Sequence, residues 1–172
     1  ALGHSLDAPL ATLPTLPTHD AARLEQANAT RVDYAPVLVH RAIEAQCDRA
    51  PDAVALVHRE VSISHRELDA RANGVDAALR AGGVRPGALV GMFAERSIDM
   101  MAGLLGILKA GAAYVPLDPS YPPERIAMML EDGNTQAVLT QSHLRARLPD
   151  RAPQVLLLES IAPQSTRTDV DA

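Results

Sequence analysis

From Val37 onward the apolar positions follow two rhythms, one helical and one extended, and they alternate along the chain. Val39, Ile43, Cys47 and Ala50 share a helical face, and Pro51 ends that helix. AVALVH (53–58) reads as a short apolar strand, with Val61-Ser62-Ile63 as its hairpin partner across His58-Arg59-Glu60. Ser64 and Glu67 have capping-box spacing, in which the hydroxyl accepts from a first-turn amide and the carboxylate accepts from the cap amide. Leu68, Ala72, Val75 and Leu79 then line one face of a helix that Gly82-Gly83 stops. ALVGMFA (88–94) is a second strand. Ser97 caps a helix that is apolar on most sides through Ile98, Met101, Leu104, Leu105 and Leu108, with Gly103 and Gly106 allowing close packing and Gly111 ending it. Residues 112–117 form a third strand. Pro122 and Pro123 open a further helix, where the missing amide hydrogens cost nothing, and Ile126, Met129 and Leu130 form its apolar face. AVLT (137–140) is a fourth strand, 142–148 a short helix and VLLLE (155–159) a fifth strand. Past Ser160 the chain turns polar and is expected to fray.

Strands alternating with helices through short turns predict an α/β layered fold with a largely parallel sheet and flanking helices. Residues 1–36 differ. DAPLATLPTLPTHD repeats Pro and Thr, which favours an extended linker, and AARLEQANAT is long enough for one short helix. The expected organisation is therefore an interdomain linker over 1–36 and a folded body over 37–172.

Composition narrows the class without naming a reaction. The 172 residues are 47% hydrophobic and 22% charged, which suits a globular chain. Aromatics make up 2%, with one Phe and no Trp. A complete core usually draws more of its buried area from aromatics, so an alanine-rich body or part of a larger domain is expected. A net charge of −5 and the lack of a basic run argue against a nucleic-acid partner. One cysteine, Cys47, leaves no intrachain disulfide, and a cytoplasmic location is the default. The most apolar stretch, 98–108, is too short to span a bilayer, so no membrane partner is expected.

No familiar catalytic signature is present. The chain lacks a G-x-G-x-x-G dinucleotide turn, a G-x-x-x-x-G-K-S/T phosphate loop, a G-x-S-x-G elbow, and any H-E-x-x-H or cysteine pair for metal. Ser62, Ser64 and His65 lie close in sequence, but a cap explains Ser64 better than a nucleophile–base pair. Cys47 has no basic neighbour in sequence and reads as a small core residue. Glu67 and Asp69 read as a cap and a solvated face, and Glu131-Asp132 belongs to a helix end before the Gly133-Asn134 turn. Lys109 falls in a last helical turn, where a cation meets the negative end of the dipole. Asp118 follows a strand end, where open α/β sheets bind ligands, but its turn-forming neighbours favour a structural role. No catalytic, cofactor-binding or metal-binding residue is assigned.

Two long stretches carry a resemblance. SISHRELDARAN (62–73) resembles the first signature of nonribosomal peptide synthetase adenylation domains, L-T/S-Y-x-E-L, with His65 in place of the Tyr. LKAGAAYVPLDPSYPPERI (108–126) resembles the second, L-K-A-G-x-A-Y-V-P-L-D followed by Y-P-x-E-R-I, throughout its length. Between them, LVGMFAERSIDMMAGLLGILKAG keeps the family's strand, E-R-S turn and helix in order. VHRAIEAQCDRAPDAVAL is similar to the family's opening helix and strand. LPTLPTHDAARLEQANAT is similar to the segment that joins a condensation domain to an adenylation domain; Asn28-Ala29-Thr30 keeps the end of its W-N-x-T element, and Ala27 replaces the Trp. The similarity runs from about Leu13 to about Leu158.

The resemblance implies the N-terminal portion of the large subdomain of an adenylate-forming enzyme, incomplete and stopping before the phosphate-binding loop. It implies ATP and Mg²⁺ as requirements of the full domain, with an amino acid converted to aminoacyl-AMP. A phosphopantetheine thiol on a downstream carrier domain would then take the acyl group. An upstream condensation domain and the remainder of the adenylation domain are the implied partners. The two signatures are mainly structural in the family, so the stretch alone is expected to be inactive and to hold no cofactor. A non-enzymatic docking or scaffold piece and an acyl-CoA ligase relative are the alternatives. The condensation-type linker argues against the second.

Overall fold

The computed structural model describes residues 17–33 and 36–168, and these divide into two units at the Pro36–Val37 boundary. The first unit contains α1 (Thr18–Asn28). Pro17 stands at its N-cap position without a side-chain cap, and Leu24 is exposed. With no apolar face to bury, a helix this short draws little stability from packing. The repeated Pro and Thr of residues 1–16 lie outside the described residues.

The second unit runs α2 (Val39–Arg49), β1 (Val54–His58), β2 (Val61–Ser64), α3 (His65–Ala81), β3 (Leu89–Phe93), α4 (Ile98–Lys109), β4 (Ala113–Leu117), α5 (Pro123–Asp132), β5 (Ala137–Thr140) and β6 (Gln154–Leu157). Short 3₁₀ segments cover Ser142–Arg147 and Leu158–Ser160. The first of these is the short helix that periodicity predicts; its tighter winding accords with its length of six residues. β6 ends two residues earlier than the apolar run suggests, because Leu158 turns into the core from the second 3₁₀ segment.

β3 to β6 form one parallel sheet in the order β4-β3-β5-β6. The α/β layered, largely parallel sheet is therefore present, and the only antiparallel pair among the described residues is the separate β1–β2 hairpin. Period-2 alternation sorts the side chains into two cores. Val90, Met92, Ala137 and Leu139 face α3 and α4, together with Val75, Leu79 and Ile107. Phe93, Leu117 and Val138 face the other way, onto Ile126 and Leu130 of α5 and Leu144 of the first 3₁₀ segment. A third cluster, built on Ile63, Leu68, Ala72, Ala102 and Leu105, joins the hairpin to the α3–α4 layer. None of the described helices is long and apolar enough to cross a membrane.

Local chemistry explains the boundaries. Ser64 Oγ accepts from the Glu67 amide at 3.2 Å and Glu67 Oε2 accepts from the Ser64 amide at 2.8 Å, completing the capping box. Ser97 Oγ accepts from the Met100 amide at 3.0 Å to open α4. Just beyond α3 and α4, Gly83 and Gly111 take φ values of +84° and +73°, the left-handed conformation that a helix exit favours in glycine.

Candidate functional site

In an open parallel sheet ligands enter at the carboxyl ends of the strands, where successive connections leave in opposite directions. Here that point lies between β3, whose connection leads to β4, and β5, whose connection leads to β6. The loops there bond to one another. Gln141 Oε1 accepts from the Glu95 amide at 2.8 Å, and its Nε2 donates to Ser97 Oγ at 3.3 Å. Glu159 Oε1 accepts from the Ser142 amide at 2.7 Å, and hydrogen bonding from the Ser142 hydroxyl, more than from this amide, holds the Glu159 carboxyl below its ordinary range. His143 lies 3.5 Å from Glu95. Asp118, at the end of β4, accepts from the Ser120 amide at 2.7 Å, and this bond depresses its pKa. Asp118 is thus the acceptor of a local turn. A cleft of about 790 Å³ opens beside β4, between Met92, Met100, Leu104, Tyr114 and Asp118. At the end of β5 the Thr140 hydroxyl is fully buried and has no hydrogen-bond partner among the described residues.

The densest charge cluster lies elsewhere, under α2, α3 and α4. Lys109, the last residue of α4, is 4% exposed. Its Nζ donates to Glu44 Oε1 at 2.6 Å, Asp69 Oδ1 at 2.8 Å and Asn73 Oδ1 at 2.9 Å. Every ammonium proton therefore has an acceptor, which is the condition for keeping a charge out of water. Arg41 donates to the other Glu44 oxygen at 3.1 Å. Arg167 donates to Asp69 Oδ2 and to Asp48 Oδ2, each at 2.9 Å. Three cations meet three carboxylates. Burial alone would raise the Glu44 pKa, but the Lys109 bond and charge, followed by those of Arg41, hold it below the usual carboxylate range. The hydrogen bond from Arg167 likewise lowers Asp48, and its bond to Asp48, with that to Asp69, pushes Arg167 further up.

A depressed carboxyl stabilises the fold in full above its unfolded pKa, near 4.5 for Glu44, and the gain is lost as pH falls through the lower folded value. Burial lowers the His40 pKa, so the melting temperature is expected to decline gently once pH falls below about 6.5 and to fall further below about pH 4.5, where Glu44 takes up its proton. In Glu44→Gln the acid slope should be shallower; an equal slope would show that Glu44 does not control it.

Several residues that stand out in the sequence find other settings. Asp69 is not on a solvated face: it is 8% exposed and shared between Lys109 and Arg167. Its charged partners come from 40 and 98 residues away, beyond any local pattern. Cys47 is buried at 3% exposure, and its Sγ lies 4.0 Å from His65 Nδ1, a neighbour 18 residues on. Burial, then the nearby Asp69 charge, raises the thiol pKa, which disfavours the thiolate that a catalytic nucleophile would need. Ser64 and Glu67 are spent on the cap. Among the described residues no group of three His, Cys, Asp or Glu is placed to hold a metal ion.

Comparison with known proteins gives this arrangement a context. Residues 43–171 match the family model described as AMP-binding enzyme. The chain belongs to this AMP-binding family. Its relatives within the family include tyrocidine synthase 3 of Brevibacillus parabrevis, 45% identical over 84% of this chain and 2% of its own length. One of the linear gramicidin synthase proteins of the same organism is 50% identical over 77% of this chain and 2% of that protein. This AMP-binding chain thus spans only a few hundredths of the curated relatives that it matches. Among solved structures, the nonribosomal peptide synthetase FmoA3 superposes with a TM-score of 0.80 and 35% identity, over 90% of this chain and 17% of that one. FmoA3 has also been solved in AMPPNP-bound and α-methyl-L-serine-AMP-bound forms. The N-terminal subdomain of Klebsiella oxytoca NpsA shares the fold at a TM-score of 0.70, with 24% identity, over 80% of this chain and 35% of that one. The chain is similar to the N-terminal part of synthetase adenylation domains, as its two signature stretches implied.

Proposed function

We propose that residues 37–172 are the front part of an amino-acid-activating adenylation domain in a nonribosomal peptide synthetase module, with residues 1–36 leading in from a condensation domain. The observation that carries this reading is the match to FmoA3, at a TM-score of 0.80 and 35% identity over 90% of the chain. The whole domain would join an amino-acid carboxylate to ATP, releasing pyrophosphate with Mg²⁺ present, and pass the acyl group to a phosphopantetheine thiol on a carrier domain. The α-methyl-L-serine-AMP bound to FmoA3 is an adenylate of the kind such a reaction forms. The protein would work in the cytoplasm.

In this reading the described residues frame the domain and contribute no catalytic group. Glu67, Asp118, Glu44, Asp69 and Lys109 are engaged in a cap, a turn and the Lys109 network. A catalytic acid, base or phosphate cradle would need groups free to change partners during the reaction.

Immunoblotting of the native host with antibody to this segment tests the assignment. A band far above the 18.3 kDa of these residues is expected. A single band at 18.3 kDa would contradict a place within a larger synthetase.

A further inference from the structure

The polar stretch after Ser160 does not fray within the described residues; it lies across α3 as a strap. Ile161 packs against the α3–α4 core. The Ala162 carbonyl crosses α3 at Gly74, where a Cβ would overlap its oxygen. The Gln164 amide donates to the Ala70 carbonyl at 2.8 Å, and the Gln164 carbonyl accepts from Asn73 Nδ2 at 3.2 Å. Arg167 then reaches Asp69 and Asp48 and approaches the Glu44 carbonyl at 3.5 Å. With no strand or helix of its own, the strap is held by Ile161, by one backbone bond to α3 and by the side-chain bonds of Asn73 and Arg167.

Two α3 residues divide their polar atoms between Lys109 and the strap. Asp69 gives Oδ1 to Lys109 and Oδ2 to Arg167. Asn73 accepts from Lys109 at Oδ1 and donates from Nδ2 to the strap carbonyl at 3.2 Å and to Asp69 Oδ2 at 3.4 Å. An ammonium cannot accept a hydrogen bond, so Lys109 dictates which end of the Asn73 amide faces outward. The strap also supplies Ser165 and Arg167 to the wall of a cavity of about 570 Å³ whose other lining includes Cys47, Asp48, Arg66 and Asp69.

We propose that residues 161–168 form a latch that docks and releases as a unit, that Lys109 sets the docked state through Asp69 and Asn73, and that the docked latch covers Cys47. Local opening of this kind is drawn from segments with few buried apolar contacts. The latch gates the one thiol in the sequence independently of global unfolding.

The labelling rate of Cys47 by a water-soluble disulfide reagent reads the latch directly. Arg167→Gln removes the outer anchor at a partly exposed position, so the body should keep its fold. We expect labelling at least tenfold faster than in the parent, a larger change than any accompanying fall in the urea midpoint accounts for. Lys109 is tested from the same variant, which avoids a Lys109 substitution and its cost to folding: hydrogen exchange at the Gln164 amide and at the Lys109 ammonium should both accelerate by NMR, because the two ends share Asp69. Parent-like labelling in Arg167→Gln, acceleration that merely follows a loss of global stability, or an unchanged Lys109 ammonium would each overturn the proposal.

Discussion

Lys109→Met is expected to lower the unfolding free energy by about 3–5 kcal/mol, the cost of removing one partner from a buried ion pair. The methionine fits the volume but leaves Glu44 and Asp69 close together without the cation that both contact at under 3 Å. Arg41 and Arg167 still reach their outer oxygens, so the pair stays partly compensated. Asn73 Oδ1 loses its donor as well. Urea unfolding followed by far-ultraviolet circular dichroism measures the loss. A change below about 1 kcal/mol would place the cluster among surface ion pairs, which contribute little.

Gly106→Ala is expected to cost about 1–3 kcal/mol through overpacking, even though alanine is the better helix former by about 1 kcal/mol. A Cβ at Gly106 would lie 2.5 Å from the Val75 Cβ and 2.8 Å from the Ala72 carbonyl oxygen. Neither atom can move without displacing α3. Gly103, one turn earlier, provides the control. Its added Cβ would meet the Met92 Cε at 2.8 Å and the Leu158 Cδ2 at 2.9 Å, both far ends of flexible side chains. Gly103→Ala should therefore be tolerated much better, and the reverse order in the same unfolding assay would refute the packing argument.

The elements are legible in the sequence because their signals are local. The Ser64–Glu67 box, the Ser97 cap and Pro123 in the first turn of α5 each act within four residues, and each forms as spacing predicts. The alternation that sends Val138 and Leu139 to opposite cores is equally local. The charge network is not legible. Lys109 finds Glu44, Asp69 and Asn73 at separations of 65, 40 and 36 residues, and no pattern along the chain pairs them. The same reason hides the approach of His65 to Cys47. Polarity is the only local signal of the segment after Ser160 and points to fraying, whereas its docking depends on Gly74 and on carboxylates about a hundred residues away. The absence of a recognisable catalytic motif, by contrast, is a local observation, and the family signatures supply the context that periodicity cannot.

If these residues frame an adenylation domain whose chemistry is carried by the rest of that domain, they cannot activate an amino acid by themselves. Amino-acid-dependent ATP–pyrophosphate exchange tests this most directly, with the 172-residue chain assayed alone against all proteinogenic amino acids. The expected result is exchange no higher than in the absence of protein, from a sample shown by circular dichroism to be folded. Robust exchange with any amino acid would contradict the division of labour, because a complete adenylating site would then lie within these residues.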